Sequence, residues 1–365
     1  MKICLFSPYI PKHFGGGEKY MFQVAIALAN KYQVFIAIPH KQELTDPEKI
    51  QIKNKYQLFL NDSLQNVDFI STPLKTDESF LRKLVWTKQF DLIYYLTDGS
   101  LFFSLAKKNI LHIQFPFTNL RLSLLDKLKL ITWQVINANS SFTKEVVEKR
   151  WGIRINFIHY PAAIPSDVFQ QYQKEKIILS VGRFFKHLNS KRQDVLIRIF
   201  QEMRRAYPKS MDGWKLVLVG GVEDQEYLKE LKTLSVQDPA ISIQTNARRE
   251  QLEALYRHAS IYWHAAGFEI DELNQPEKVE HFGISTVEAM AAGCVPVVHN
   301  KGGQTEIMTG NLQSLCWQTT DECEKITIDL IKNQQKLYEF SQLAIKRAKD
   351  FSQNNFEEKL WKMVG

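Results

Sequence analysis

Cysteine is scarce in this sequence, and long apolar runs are missing. The 365 residues include only four cysteines, and their spacings match no zinc-binding pattern. No run approaches the ~20 apolar residues that a membrane-spanning helix needs, and the N-terminal residues lack the apolar core and cleavage site of a signal peptide. We therefore expect a reduced, cytoplasmic setting and a protein that is soluble or attached peripherally to the inner face of a membrane.

Three sequence signatures are also absent. The chain contains no internal repeat or low-complexity segment, no Asp-x-Asp metal motif and no G-x-G-x-x-G dinucleotide fingerprint. Hydrophobic residues make up 44% of the composition, and the chain is too long for one ordinary core, so two packed domains are expected. The sequence predicts a globular protein without a metal site or a cofactor.

Positive charge is concentrated in the first half of the chain. Residues 1–170 contain 21 Lys and Arg against 14 Asp and Glu, whereas the remainder contains 26 of each. Arg121, Lys127 and Lys129 interrupt the apolar run 120–131, which is typical of an amphipathic segment that rests on anionic lipid. An ordinary packed helix with a solvated basic face fits the same pattern. Nucleic acid is not an expected partner, because no stacking platform or known binding motif accompanies the basic residues.

Strand-like runs alternate with helical spacing along the whole chain, as parallel α/β domains require. The proline-punctuated stretch 161–165 is the candidate linker. We therefore predict an α/β fold of two doubly wound domains facing each other across a cleft, where the carboxyl ends of both sheets hold a ligand. The predicted domains are residues 1–165, residues 166–345, and a C-terminal helix over 346–365 that packs back on the first. The predicted strands are Lys2–Ser7, Val34–Pro39, Asp91–Leu96, Asn109–Gln114, Trp133–Ala138, Ile155–His159, Lys176–Gly182, Trp214–Gly220, Ile241–Asn246, Ile261–His264 and Val295–His299.

The most informative segment begins at Glu280. Two glutamates, Glu280 and Glu288, flank the turn at Phe282, Gly283 and Ile284, and the second lies in a small-residue helix that precedes an apolar strand. Backbone amides at a helix start bind anions and carry the positive end of the helix dipole. Carboxylates accept hydrogen bonds from hydroxyl groups. The combination suits a sugar joined to a phosphate.

A glycine turn and a histidine offer complementary groups in the first half. Gly15, Gly16 and Gly17 precede the helical run 20–30, so their amides can approach a diphosphate or a sugar closely. A flexible turn is the alternative. His112 stands near the end of a later strand, where it either contacts a ligand or serves as an ordinary core histidine.

Two basic residues follow a strand in the second half. Arg183 comes directly after the apolar strand, and Lys191 follows the polar loop 186–190 before a helical run. Fixed cations of this kind neutralise the charge that develops on a leaving diphosphate; a solvated basic loop is the alternative. The neighbouring Arg192 leaves the choice of the second cation open.

Together these blocks resemble the retaining GT-B glycosyltransferases of the group 1 family, which carry the E-x7-E motif, over nearly the whole chain. The resemblance implies two Rossmann-like domains, the first binding the acceptor and the second the nucleotide sugar. It assigns catalysis to Glu280, beside the donor sugar, and to His112, on a sugar hydroxyl. It places Arg183 and Lys191 on the diphosphate, Glu288 on the ribose and the nucleobase near Ala247. The residues that it assigns to the donor are Gly16, Gly17, Arg183, Lys191, Ala247, Phe282, Gly283, Ile284 and Glu288.

The resemblance also implies a reaction: transfer of a hexose from a nucleoside diphosphate sugar, with retention of configuration, to a hydroxyl of a glycan or lipid-linked acceptor in polysaccharide or glycolipid synthesis. The runs 280–284 and 299–303 resemble mannosyltransferases of lipid-linked oligosaccharide synthesis, which favours GDP-mannose over UDP-glucose as the donor. The positive first half fits an anionic, lipid-linked substrate. A nucleotide-sugar epimerase and a non-catalytic nucleotide-sugar-binding protein remain alternatives.

One segment departs from the family pattern. The polar run Gly267–Val279, which precedes Glu280, is longer than in many relatives. We expect a mobile loop over the cleft. Its acidic residues offer metal ligands as an alternative, although their spacing matches no known site.

Overall fold

The computed structural model describes residues 1–11, 15–60, 63–117, 121–163, 172–187 and 190–365. The chain divides into two compact units, which we call the N-terminal unit (Met1–Ala162 with Phe356–Gly365) and the C-terminal unit (Ala163–Asn355). Three parts of the sequence-based predictions lie outside the described residues. They are Leu120 in the amphipathic run, the domain boundary at 165 and 166 with the end of the linker, and Leu188 with Asn189 in the polar loop.

The N-terminal unit is built on a parallel sheet. The strands found in its described residues are β1 (Lys2–Phe6), β2 (Gln33–Pro39), β3 (Val67–Thr72), β4 (Leu92–Leu96), β5 (Lys108–Ile113), β6 (Val135–Ala138) and β7 (Phe157–Ile158). Their order is β3-β2-β1-β4-β5-β6-β7, and each neighbouring pair is parallel. The helices are α1 (Gly16–Ala29), α2 (Asp46–Leu60), α3 (Phe80–Thr87), α4 (Leu124–Leu130) and α5 (Ser141–Trp151).

This sheet is covered on both faces. Successive residues of a strand point to opposite sides, so Ile3 and Leu5 of β1 join one apolar cluster with α1, whereas Cys4 and Phe6 join another with α5. Burial on both faces explains why the strands are apolar throughout rather than alternating.

The C-terminal unit repeats this architecture. Its described strands are β8 (Glu175–Val181), β9 (Lys215–Gly220), β10 (Ile241–Thr245), β11 (Ala259–His264), β12 (Val295–His299) and β13 (Cys316–Trp317), in the order β10-β9-β8-β11-β12-β13. All of these neighbours are parallel. The helices are α6 (Gln193–Ala206), α7 (Gln225–Ser235), α8 (Arg249–His258), α9 (Ile284–Ala291), α10 (Gln304–Ile307), α11 (Thr320–Lys332) and α12 (Gln334–Ala348), followed by α13 (Gln353–Val364), which ends in the N-terminal unit.

The predicted α/β class with two doubly wound domains is confirmed. The strand order reverses beside β1 and beside β8, and such switch points place the carboxyl ends of neighbouring strands around a crevice. Two strands were not predicted. Strand β3 was missed because polar residues interrupt its apolar pattern, and β13 because it has only two residues. In the described ranges, no helix combines the length and the apolar composition needed to cross a bilayer.

The C-terminal helix predicted over 346–365 is interrupted: α12 covers its start and α13 the rest, where Phe356, Leu360 and Met363 join an apolar cluster of the N-terminal unit. Helix α12 ends at Ala348, and a 3-10 turn occupies Lys349–Phe351. Ser352 is extended, with φ −72° and ψ 162°, so the helical hydrogen bonding stops there. Helix α13 then starts afresh at Gln353.

Candidate functional site

A buried ion pair lies near the carboxyl ends of β8 and β11. Lys191 Nζ donates to Glu280 Oε2 at 2.5 Å, and His264 Nε2 lies 3.0 Å from the same oxygen. The side chains of Lys191 and Glu280 are only 13% and 11% exposed. Burial alone raises the pKa of the Glu280 carboxyl, but Lys191 and His264 outweigh it and hold this pKa well below its usual range. Glu280 is therefore ionised at neutral pH.

Local backbone geometry brings these side chains together. Gly182 follows β8, and a Cβ at this position would overlap the Lys191 side chain, so glycine leaves the space that Lys191 fills. His264 is the last residue of β11, the strand next to β8. Because carboxyl ends of adjacent parallel strands meet at one edge of a sheet, His264 and Lys191 converge on Glu280 there.

Lys191 and Arg192 have different partners in the structure. Arg192 has a left-handed backbone (φ 49°), which turns its side chain away from Glu280. Its guanidinium instead donates to Phe268 O at 2.9 Å and pairs with Glu269 at 3.1 Å and with Asp194 at 3.2 Å. Lys191 is the cation at Glu280, and Arg192 holds the start of the 267–279 segment.

Arg183 pairs with a different carboxylate, that of Glu223. Its Nη1 donates to Glu223 Oε2 at 2.8 Å, and the two side chains are 48% and 46% exposed. An ion pair this exposed contributes at most about 1 kcal/mol. Arg183 therefore gives up Glu223 at little cost when a more highly charged anion is offered, and its role on a diphosphate stays a prediction.

Helix α9 begins at the predicted glycine turn. Gly283 has φ +118°, and a Cβ built there would lie 2.5 Å from Gln304 Nε2, so only glycine fits. Phe282 is buried with its ring 5.3 Å from that of Phe351, and Ile284 is the first helical residue. The first amides of a helix have no intrahelical acceptor. This turn therefore presents donors suited to an anion or a sugar oxygen.

Glu288 contacts the start of a helix close to Ala247, the residue predicted to lie near the nucleobase. Its carboxylate, 10% exposed, pairs with Arg249 Nη1 at 3.1 Å and accepts a hydrogen bond from the Tyr256 hydroxyl at 3.1 Å. Arg249 begins α8, two residues after Ala247. Ala247 packs against an apolar cluster of the C-terminal unit. The second glutamate of the motif and the loop before α8 thus form one polar group within the C-terminal unit.

His112 is fully buried in the N-terminal unit. Its Nδ1 contacts Asn137 Oδ1, its Nε2 lies 2.7 Å from Gln114 Oε1, and the Tyr20 ring stacks on it at 3.8 Å. Burial lowers the pKa of the imidazole to about 4, so the ring is neutral at pH 7. A neutral imidazole can exchange its Gln114 contact for a hydroxyl group.

The glycine turn lies close to the same groups. Helix α1 begins at Gly16, and the Gly15 amide donates to Glu18 Oε2 at 2.8 Å. A Cβ on Gly17 would lie 3.6 Å from Gln114 Cγ, so this turn and His112 share Gln114 as a neighbour. The two predicted elements of the N-terminal unit are therefore adjacent.

Several residues of these sites were not singled out from sequence. In the N-terminal unit, the Tyr20 hydroxyl lies 2.5 Å from His159 Nδ1, and His159 Nε2 is 2.9 Å from Phe356 O. In the C-terminal unit, His264 and Tyr256 contact the two glutamates. The sequence signal that could have pointed to His264 is its position at the carboxyl end of a predicted strand.

The 267–279 segment is tied to its own unit. Lys301 Nζ donates to Ile270 O, and the Gly302 amide donates to Glu272 Oε1 at 2.9 Å. The Asp271 carboxylate accepts bonds from Leu273 N at 3.1 Å and Asn274 Nδ2 at 2.6 Å. In the part of the chain that the structure describes, no three His, Cys, Asp or Glu side chains are grouped to hold a metal ion.

The chain is similar to a known protein family and to named relatives. The family profile described as "Glycosyl transferases group 1" matches residues 166–350, just over half of the chain. A Dictyostelium discoideum protein named GDP-Man:Man(3)GlcNAc(2)-PP-Dol alpha-1,2-mannosyltransferase is 29% identical over 259 residues, which cover 63% of this chain and 47% of that protein. The Homo sapiens protein of the same name is 28% identical over 184 residues, covering 46% and 34%. The chain thus spans about half the length, or less, of these relatives.

A solved structure matches the whole fold. The Anabaena protein HepE, in complex with UDP-glucose, superposes with a TM-score of 0.68 over 100% of this chain and 99% of its own, at 16% identity. At that identity the likeness concerns the fold, and it agrees with the predicted GT-B class.

Proposed function

Since the chain belongs to the glycosyl transferases group 1 family, we propose that it is a retaining glycosyltransferase that moves mannose from GDP-mannose to a hydroxyl of a lipid-linked glycan. The names of the two relatives support this donor and this acceptor. The observation that carries the proposal is the cluster of Lys191, Glu280 and His264 beside the N-terminus of α9. Cytoplasmic location and peripheral attachment to a membrane are part of the same proposal.

The diphosphate is neutralised by fixed cations. An ammonium group has three donors, so Lys191 keeps one on Glu280 and turns the others to phosphate oxygens. Arg183 exchanges Glu223 for the same diphosphate, which its forked donors fit. The amides of Phe282, Gly283 and Ile284, and those of Gly16 and Gly17, complete the set of donors. These contacts strengthen as the leaving group gains charge.

The groups predicted to contact the reacting sugar are of two kinds. Ionised Glu280 contacts the sugar hydroxyls and stabilises the positive charge that builds near the anomeric carbon. Neutral His112 exchanges Gln114 for a sugar hydroxyl. The bond from the anomeric carbon to phosphate breaks, and the acceptor oxygen bonds to that carbon on the same face. The leaving phosphate takes the acceptor's proton, and because the acceptor attacks from the face that the phosphate leaves, the configuration is retained.

The nucleoside is bound through the second glutamate. Glu288 accepts hydrogen bonds from the ribose hydroxyls, while Arg249 and Tyr256 fix the orientation of its carboxylate. The base lies against backbone near Ala247. The names of the relatives favour GDP over UDP as the nucleotide.

A donor panel tests this function. The purified protein is mixed with GDP-mannose, UDP-glucose and ADP-glucose, with and without a short-chain lipid-linked glycan, and nucleotide release is measured. We expect GDP-mannose to raise the thermal unfolding midpoint most and to release GDP rapidly only when acceptor is present. Analysis of the product by NMR gives the configuration of the new linkage.

Other outcomes identify the alternatives. Transfer from UDP-glucose alone makes the protein a glucosyltransferase, and an inverted linkage removes the retaining mechanism. Conversion of the donor to its epimer without nucleotide release indicates an epimerase. Binding without any turnover, unchanged by Glu280→Ala, indicates a nucleotide-sugar-binding protein.

A further inference from the structure

Helix α4 exposes three of its four leucines, whereas Leu130 packs against an apolar cluster of the unit. None of its residues is buried, and Leu124 is 81%, Leu128 53% and the following Ile131 75% exposed. Positions spaced by four and three residues form one stripe along a helix. Lys129 is turned inward instead, with its side chain 20% exposed and paired with Asp126 at 2.8 Å. This exposure favours the lipid-binding interpretation of the segment over the packed helix.

Helix α3 has the same character. Phe80 is 62%, Leu81 67% and Val85 57% exposed, and Thr87 is its only buried residue. Leu81 and Val85, four residues apart, lie on one face of the helix. Two neighbouring elements of the same unit thus leave large apolar side chains in water.

A short segment connects the two helices. The Phe103 ring contacts that of Phe80 at 5.9 Å, and the Leu105 amide donates to Thr87 Oγ1 at 2.8 Å. The Ser104 amide donates to Thr132 Oγ1, just after α4, at 3.4 Å. Leu105 itself is 47% exposed. The exposed apolar residues therefore belong to one region, which we call the α3–α4 surface. Its apolar members are Phe80, Leu81, Val85, Leu105, Leu124, Leu125, Leu128 and Ile131.

Basic residues are interspersed in this surface. The segments 79–89, 102–107 and 121–131 contain seven Lys and Arg and a single acid, Asp126. When Glu78 and Asp91, which pair with Arg82 and Lys107, are also counted, a net charge of +4 remains. This is more than half of the +7 of the whole chain. The basic members are Arg82, Lys83, Lys88, Lys107, Arg121 and Lys127, whereas Lys129 is paired inward with Asp126.

We infer that the α3–α4 surface docks on an anionic lipid bilayer. Apolar side chains interspersed with cations suit the boundary between headgroups and acyl chains, where both kinds of group find partners. A second copy of the chain is a poorer occupant, because pairing two such surfaces brings like charges together. This inference supplies a location for the proposed membrane attachment, and it does not depend on which sugar is transferred.

Vesicle binding of the full chain tests this inference without donor or acceptor. Sedimentation is measured with phosphatidylcholine vesicles, with and without phosphatidylglycerol, at low and high salt. We expect binding to the anionic vesicles that weakens with salt. The triple variant Leu124→Ser, Leu128→Ser, Ile131→Ser should bind at least ~10-fold more weakly. The variant Arg121→Glu, Lys127→Glu should lose ~10-fold on anionic vesicles only.

A matched control separates this surface from general hydrophobicity. Leu58 and Val236 are 86% and 76% exposed and lie elsewhere, so the variant Leu58→Ser, Val236→Ser should bind as the wild type does. Unchanged thermal unfolding verifies that each variant folds. The inference is overturned if the wild type does not bind anionic vesicles, if the triple variant binds them as well as the wild type does, or if the control variant loses as much binding as the triple variant. A dimer that the triple variant dissociates, without lipid binding, also overturns it and identifies a second copy as the occupant.

Discussion

The two units carry charge in different ways. The N-terminal unit has 23 Lys and Arg against 15 Asp and Glu, whereas the C-terminal unit has 24 against 25. Yet the candidate site of the balanced unit is ionic, with Lys191 on Glu280 and Arg249 on Glu288. The basic unit surrounds His112 with neutral groups. Net charge therefore reports on the partners of a surface and not on the chemistry of a buried site.

The difference fits a division of labour. A charge is buried only with a partner, because an unpaired buried charge is strongly destabilising. The ionic C-terminal site suits a diphosphate, and the neutral N-terminal site suits sugar hydroxyls. Four substitutions test this contrast, ordered by the size of the expected effect.

Glu280→Gln should have the largest effect. It removes the negative charge beside the anomeric carbon and keeps the shape, so the turnover of donor with acceptor should fall by ~100–1000-fold. Initial rates of GDP release give the measurement. The exposed Glu250→Gln in the same unit is the matched control and should change the rate less than ~2-fold. Equal rates for wild type and Glu280→Gln would remove Glu280 from catalysis.

Lys191→Met tests whether Lys191 and Glu280 contribute to stability as a coupled pair. The substitution leaves the Glu280 charge buried without its main partner, and we expect the free energy of unfolding to fall by about 3 kcal/mol. The double variant Lys191→Met, Glu280→Gln should recover most of that loss, because no charge is then left unpaired. Urea unfolding of the four proteins gives the coupling energy. Additive losses contradict the pairing.

His159→Gln tests the neutral network of the N-terminal unit. Burial lowers the pKa of His159 to about 3, against about 6.5 when unfolded. Between these values only the unfolded chain binds the proton, so stability is lost as pH falls. The loss from pH 7 to pH 5 is about 2 kcal/mol. His159→Gln should shrink the pH dependence of unfolding by that amount.

The exposed His187, whose side chain is 80% accessible, provides the control for this pH experiment. His187→Gln is measured in parallel and gives the effect of replacing a histidine by glutamine at a solvent-exposed position. A wild-type and a His159→Gln protein with the same pH dependence would mean that His159 is protonated in the fold.

Tyr256→Phe should have the smallest effect. It removes one hydrogen bond to Glu288, which lies on the ribose side of the proposed site, and one such bond contributes about 1 kcal/mol. We expect KM for GDP-mannose to rise ~5-fold with kcat unchanged, because the contact is made equally in the ground and transition states. A fall in kcat instead would assign Glu288 to the reacting end of the donor.

The sequence predicts the architecture better than the details of either site. Apolar runs at regular spacing identified most strands, and the family profile confirms the predicted family. The pairing of Lys191, rather than Arg192, with Glu280 depends on a left-handed backbone at Arg192, which no residue pattern reveals. His264 and Tyr20 resemble ordinary core residues in sequence, and only the fold brings them to Glu280 and His112. The exposure of the apolar stripe of α4 likewise depends on tertiary packing.

A crystal structure with GDP-mannose, soaked or co-crystallised, tests the central claim most directly. The account predicts diphosphate oxygens within ~3 Å of Lys191 Nζ and of the Arg183 guanidinium, with Glu223 released and the mannose against Glu280. A donor bound elsewhere, with Arg183 still on Glu223 and Lys191 engaged only with Glu280, would contradict it.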